Sequence, residues 1–259
     1  MHKNHGKFCW YELMTTDVPA AERFYGSVLG WTTRDSGMPG QNYTLAYAGD
    51  RQVAGLMAIP AEAAGMPPSW SAYVYAGDIE ETARAVADKG GTVHRAPADI
   101  PGVGRFAVVA DPHGAIFCLF STDDDDPEAP PMMTPGHIGW HELMAGDLDE
   151  AWPFYSELFG WTKDTAYDMA EGGGKGVYQI FSVRGGDAVG GMMTKPAEMP
   201  APPHWGLYFV VDGLDAAGSR VTEGGGRILM GPMEVPGGAW ILNCFDPQGA
   251  YFALVSMKR

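Results

Sequence analysis

Apolar side chains at Val18, Ala21, Phe24, Tyr25, Val28 and Leu29 keep the three-and-four spacing of an amphipathic helix. Asp17 stands before them as an N-cap and Gly30 after them as a stop. On either side the pattern changes. Phe8–Met14 is β-prone and leads into a turn-like Thr15-Thr16-Asp17, while Asn42–Tyr47 and Val53–Ile59 read as strands split by a Gly49-Asp50 turn. After Pro67-Pro68 the order recurs. Ser71–Tyr75 is a strand and Ile79–Lys89 a helix capped by Asp78 and ended by Gly90-Gly91. Thr92–Arg95 is a strand, and Phe106–Ala110 with Ala115–Phe120 form a hairpin. The unit is one strand, one helix and about three strands, used twice.

The whole arrangement then repeats. Trp10-Tyr11-Glu12-Leu13-Met14-Thr15-Thr16-Asp17 returns as Trp140-His141-Glu142-Leu143-Met144-Ala145-Gly146-Asp147. Phe24-Tyr25 is answered by Phe154-Tyr155, Gly30-Trp31 by Gly160-Trp161, and Pro67-Pro68-Ser69-Trp70 by Pro202-Pro203-His204-Trp205. Asp111-Pro112-His113-Gly114 matches Asp246-Pro247-Gln248-Gly249. The matches stay in register, so the chain is a duplicated domain. Between the copies, Asp123–Asp126 and four prolines up to Pro135 make an acidic, stiff linker. The expected division is a domain at 1–122, a linker at 123–135 and a second domain at 136–259.

Composition narrows the function. With 17 basic and 32 acidic residues the formal charge is −15, which repels phosphate backbones and anionic membranes and argues against nucleic-acid or membrane partners. The apolar fraction of 46% suits globular cores, and no apolar run is long enough to span a bilayer. The first eight residues lack the apolar stretch of a signal peptide. Three scattered cysteines, Cys9, Cys118 and Cys244, read as reduced thiols, and a cytoplasmic location is expected. The Asp-Pro-x-Gly motifs read as hairpin turns with His113 exposed at one tip. Glu171–Lys175 lacks the spacing of a phosphate loop and reads as a flexible connection.

The strand followed by Asp17-Val18-Pro19-Ala20-Ala21-Glu22-Arg23-Phe24-Tyr25, the Leu29-Gly30-Trp31 after it, and the Asp-Pro-x-Gly hairpins resemble the vicinal oxygen chelate superfamily. That group contains glyoxalase I, extradiol dioxygenases and bleomycin-resistance proteins. Nearly the whole chain shares the resemblance, which points to a tandem-domain bacterial glyoxalase-like member. It implies an α+β fold in which two βαβββ modules form an open cup, and two such domains in series. Such a fold hosts lyases, oxygenases, transferases and binders alike.

Metal-dependent members hold an ion with four ligands in each cup. By the resemblance these positions fall on Trp10, Gly55, Ser71 and Cys118 in the first copy and on Trp140, Gly191, Gly206 and Ala253 in the second. Indole, glycine and alanine side chains give a divalent metal no donor, so no metal and no other cofactor is expected. Alternation along the strands instead gives an aromatic, sulfur-bearing lining with one carboxylate per cup. The ligand-binding candidates are Trp10, Glu12, Met14, Tyr43 and Tyr73, with Trp140, Glu142, Met144, Tyr178 and Tyr208. Gly55 and Gly191 leave room where a ligating glutamate would stand. Glu12 and Glu142 stand out: a carboxylate among such groups is desolvated and suits a general base or an anchor. The alternative for each is a structural hydrogen bond with a Tyr or Trp. Trp31 and Trp161 read as core, and His141 lies on the face opposite Glu142.

The leading expectation is metal-independent binding of a small, partly aromatic or amphipathic molecule, by a monomer or homodimer. A glyoxalase-like lyase or dioxygenase with unconventional metal ligands is the first alternative, and a degenerate scaffold for protein contacts the second. Which residue would be catalytic, and whether the chain is an enzyme, stays open at this point.

Overall fold

The computed structural model describes residues 3–38, 40, 42–123, 130–172 and 175–259. Most of the acidic linker, and Gly173-Gly174 of the loop expected to be flexible, lie outside the described residues.

The fold is α+β and consists of four βαβββ modules. The first holds β1 (Phe8–Thr15), α1 (Val18–Leu29), β2 (Thr32–Asp35), β3 (Tyr43–Ala48) and β4 (Arg51–Ala58). The second holds β5 (Ser69–Tyr75), α2 (Ile79–Asp88), β6 (Thr92–Ile100), β7 (Gly104–Ala110) and β8 (Ile116–Ser121). The third holds β9 (Ile138–Ala145), α3 (Leu148–Phe159), β10 (Trp161–Asp168), β11 (Val177–Val183) and β12 (Ala188–Thr194). The fourth holds β13 (His204–Val210), α4 (Leu214–Glu223), β14 (Arg227–Glu234), β15 (Trp240–Phe245) and β16 (Tyr251–Ser256). Within every module the first strand lies parallel to the last, and the other pairs are antiparallel. The expected elements appear with small shifts. Thr32–Asp35 is a strand that the apolar pattern does not announce, because its side chains are mostly exposed.

The helix boundaries follow local chemistry. Asp17 accepts a hydrogen bond from the Ala20 N–H at 2.9 Å, and Asp147 caps α3 through Asp149 and Glu150. Gly30 and Gly160 end their helices in the left-handed conformation, at φ 74° and 68°. The expected apolar face of α1 is buried at Ala21, Phe24, Tyr25, Val28 and Leu29.

The chain forms two compact units, and each joins segments from both sequence repeats. Unit A contains Met1–Cys9, Ser71–Glu128 and Trp140–Trp205; unit B contains Trp10–Trp70, Ala129–Gly139 and Gly206–Arg259. The second and third modules therefore share unit A, and the first and fourth share unit B. Unit A is packed around Val74, Val86, Phe117, Leu119, Tyr155, Phe159 and Trp161. In unit B, Phe24 and Tyr25 of α1 meet Phe252 of β16 at ring separations of 5.8 and 5.5 Å.

Both units carry the same buried relay. In unit B, Trp70 Nε1 donates to the Tyr25 hydroxyl at 2.8 Å, which donates to Asp246 Oδ2 at 3.1 Å. In unit A, Trp205 Nε1 donates to Tyr155 at 3.2 Å, which donates to Asp111 Oδ2 at 3.1 Å. The Asp-Pro-x-Gly motifs are turns, as expected: Asp111 Oδ1 accepts from His113 and Ala115 N–H groups, and Asp246 Oδ1 from Gln248 and Ala250. They are also more than turns, because the second carboxylate oxygen ties each turn to a helix of the other repeat. His113 is only partly exposed and pairs with Glu150 at 2.8 Å.

Trp31 and Trp161 sit in the cores and also make a second tie. Trp31 Nε1 donates to Gly136 O and Trp161 Nε1 to Gly6 O, both at 2.7 Å. Gly6 has φ 89°, and a Cβ there would stand 2.3 Å from Phe159 O, so only glycine fits. His5 joins the same junction: its Nε2 meets Leu158 O at 2.8 Å and its Nδ1 accepts from Gly77 N–H. Burial lowers the pKa of this imidazole.

Candidate functional site

The candidate residues lie on the sheet face turned away from the helices. Leu13 on β1 pairs with Leu56 on β4, and both are fully buried beneath α1. Alternation turns Trp10, Glu12 and Met14 to the opposite face, where Glu12 stands across from Gly55 and Met14 across from Met57. On β3, Tyr43 pairs with Met57 and leans over Gly55. Unit A repeats the arrangement, with Glu142 across from Gly191, Met144 across from Met193, and Tyr178 on the neighbouring strand.

The space at the two glycines is not empty. A Cβ on Gly55 would fall 1.9 Å from the Tyr43 hydroxyl oxygen, and one on Gly191 would fall 2.3 Å from the Tyr178 ring. The room expected where a ligating glutamate would stand is taken by a phenol from β3 or β11. A short polar chain results. Trp10 Nε1 donates to the Tyr43 hydroxyl at 2.9 Å, and that hydroxyl donates to Glu12 Oε2 at 2.9 Å. In unit A, Trp140 Nε1 donates to the Tyr178 hydroxyl at 2.7 Å. Glu142 is 8% exposed and Glu12 is half-buried, so the two carboxylates stand in different surroundings.

The remaining candidates take the faces expected of them. Tyr73 on β5 is buried across from Cys118 on β8, and Tyr208 on β13 across from Ala253 on β16. His141 projects from the opposite face to Glu142. It is stacked on Phe8 at 3.7 Å, bonded through Nδ1 to Val189 O, and its pKa is lowered by burial to about 4. His204, on the first residue of β13, is bonded to Pro202 O and lowered by burial.

The donor set does not fit a divalent metal. Of the positions that the resemblance assigned to metal ligands, Gly55 stands across from Glu12 and not Trp10, Cys118 across from Tyr73, Gly191 across from Glu142 and not Trp140, and Ala253 across from Tyr208. Among the described residues no group of three His, Cys, Asp or Glu side chains is gathered for a metal. One carboxylate already bound to a phenol lacks the several imidazole, carboxylate or thiolate donors that such ions require.

A family model described as Glyoxalase/Bleomycin resistance protein/Dioxygenase superfamily matches residues 7–119 and again 135–254. The chain belongs to this superfamily. It is 34% identical over 251 residues to "Putative glyoxylase CFP32" of Mycobacterium bovis, covering 95% of this chain and 93% of that protein. It is 29% identical over 267 residues to "Anthracycline biosynthesis protein DauV" of Streptomyces sp. (strain C5), covering 98% and 94%. Among solved structures, the Mn(II)-bound glyoxalase from Novosphingobium aromaticivorans superposes with a TM-score of 0.65 at 15% identity, covering 99% of this chain and 83% of that one. The 2,3-dioxygenase LapB from Pseudomonas sp. KL28 gives a TM-score of 0.65 at 14% identity, covering 98% and 93%. Likeness at that identity shows the fold of this superfamily member. No described helix is long and apolar enough to cross a membrane.

Strand alternation places the aromatic face, whereas the motifs by themselves do not announce the buried relays. Their residues were in view as repeats: Phe-Tyr, Pro-Pro-x-Trp and Asp-Pro-x-Gly all recur. The signal was that a helix face explains Tyr25 as apolar but gives no reason for a hydroxyl to recur at Tyr155.

Proposed function

We propose that this superfamily member binds a small, partly aromatic molecule without a metal, in the manner of the binding branch of its family. The observation that carries the reading is the Trp10–Tyr43–Glu12 chain over Gly55. It puts a phenol where a metal ligand would need to reach, and it presents a carboxylate on the face that also carries Trp10, Met14 and Met57. Trp10, Glu12, Met14, Tyr43 and Tyr73 of the first copy, and Trp140, Glu142, Met144, Tyr178 and Tyr208 of the second, are the ligand-contacting set. The rings offer flat apolar contact, and each carboxylate accepts a hydrogen bond from a ligand O–H or N–H. The likeness to a protein named for anthracycline biosynthesis supports a planar, hydroxylated ligand class. We further place the protein in the cytoplasm as a monomer or homodimer.

Two measurements test this. Chelator-free protein should carry no stoichiometric metal; about one equivalent of Mn, Fe, Ni or Zn per domain overturns the metal-free reading and restores the lyase or dioxygenase alternative. Titration with an anthracycline should quench tryptophan emission. Glu12→Gln combined with Glu142→Gln should weaken that binding roughly tenfold or more, because hydrogen bonds to a charged group contribute about 1.5–3 kcal/mol. Unchanged affinity overturns the assignment of the carboxylates.

A further inference from the structure

The two copies agree on their first half-sheets and part company on their last. In unit B, a Cβ at Gly218 of α4 would lie 3.0 Å from Leu242 Cδ1 and 3.5 Å from Ile228 Cδ1, so Leu242 and Ile228 face the helix. Alternation turns Asn243 and Phe245 to the other face, beside their cross-strand partners Ala253 and Tyr251. Four side chains form a continuous strip there. The Arg227 guanidinium lies 5.0 Å over the Phe245 ring, Phe245 meets Tyr251 edge-on at 5.9 Å, and the Tyr251 hydroxyl donates to Asn243 Oδ1 at 2.6 Å. Asn243 is 95% buried (5% exposed), and among the described residues no hydrogen bond takes up its Nδ2.

The buried polar atoms without a partner among the described residues do not include this nitrogen, so its N–H groups reach the open side of the face. Tyr251 satisfies one end and orients the group, which leaves the N–H donors for something outside the protein. The first copy has none of this. Aligned on the Asp111 and Asp246 turns, its equivalents of Arg227, Phe245, Tyr251 and Asn243 are Thr92, Ala110, Ile116 and Val108. It places its own cation on another rung, with Arg95 4.7 Å over Phe106, where the second copy has Met230 and Ile241. Duplication therefore kept the fold and the Trp-x-Glu strand but gave the copies different recognition faces.

We propose that Arg227, Phe245, Tyr251 and Asn243 form a subsite in the second copy alone, for a planar ring bearing a carbonyl or carboxylate oxygen. Asn243 Nδ2 donates to that oxygen, the ring packs on Phe245 and Tyr251, and Arg227 supplies positive charge at the rim of a chain whose net charge is −15. The two copies thus select different ligands. This rests on the reading of the protein as a small-molecule binder, and it names the chemical group that one copy recognises.

Two ring-matched probes, 2-naphthoate and 2-acetylnaphthalene, separate the possibilities on the full chain. Both should bind and shift the Asn243 side-chain amide resonances. Asn243→Val, which installs the first copy's residue, should weaken both probes roughly five- to tenfold, the loss of one net hydrogen bond. Tyr251→Phe keeps the ring and should weaken both by about two- to threefold, a fraction of one hydrogen bond. Arg227→Gln should weaken 2-naphthoate alone, by up to about fivefold and less at high salt. If both probes bind and Asn243→Val and Tyr251→Phe leave their affinities unchanged, this subsite is wrong and the binder reading stands. If neither probe binds the wild-type chain at millimolar concentration, the binder reading fails as well.

Discussion

Replacing Tyr25 by Phe removes a single oxygen and leaves the ring in place, yet it should be among the costliest conservative changes in the chain. Tyr25 is fully buried, and its hydroxyl stands between Trp70 Nε1 and Asp246 Oδ2 at 2.8 and 3.1 Å. Without it an indole N–H and a carboxylate oxygen both lose their partner inside unit B. Each orphaned buried group costs about 1–3 kcal/mol, more for the charged one, so a total of about 3–5 kcal/mol is expected. The effect should also depend on pH. Burial raises the Asp246 pKa, while the Tyr25 hydrogen bond and the backbone N–H groups oppose that shift. A carboxyl whose folded pKa is raised contributes stability when protonated, and that contribution is lost as pH rises through the folded value. The Tyr25 hydroxyl favours the ionised form, so its removal should hurt most at neutral pH and least in acid, where Asp246 is protonated. Urea unfolding followed by tryptophan fluorescence at pH 7 and near pH 4, with Tyr47→Phe as a half-buried control whose hydroxyl accepts from Gln52, measures this. A loss below about 1 kcal/mol at pH 7, smaller than one orphaned group, would falsify the relay as a structural tie.

Three further outcomes are expected. Gly55→Ala and Gly191→Ala put a methyl into the Tyr43 and Tyr178 rings; each should displace its phenol and change Trp10 or Trp140 emission, and Tyr43→Ala should relieve the Gly55→Ala defect. Failure of that rescue would mean the glycine serves something other than the phenol. His141 should titrate near 4 by NMR; because its folded pKa lies below the unfolded value, stability should fall as pH drops from about 6.5 towards 4, and a midpoint at 6 or above refutes the buried neutral imidazole. Glu150→Ala breaks the exposed pair with His113 and should cost under about 1 kcal/mol; a larger loss would show the pair to be a principal tie in unit A.

Much of the site was legible because strand periodicity is a local property. If Trp10 faces one way, so do Glu12 and Met14, and the register opposite Gly55 confirmed the shared face. What Tyr43 does there was not legible. Its ring crosses to a glycine on the next strand, and only the pairing of Tyr43 with Met57 sets that reach. The same limit applied to Asn243: as one polar residue in an apolar strand it carried no signal until Tyr251 was placed beside it.

The four modules, their caps and turns, the duplicated origin and the superfamily are readable in the amino-acid order, since each rests on residues near in the chain or on direct self-comparison. Tertiary structure alone decided how the modules are combined. The strands of each copy form one eight-stranded sheet, whereas the compact units draw one module from each copy. The physical reason lies in which partners satisfy the buried polar groups. Tyr25 reaches Asp246, Tyr155 reaches Asp111, Trp31 reaches Gly136 and Trp161 reaches Gly6. Each motif occurs once in both copies, so the sequence permits either pairing; the packing of the helix faces selects the exchanged one.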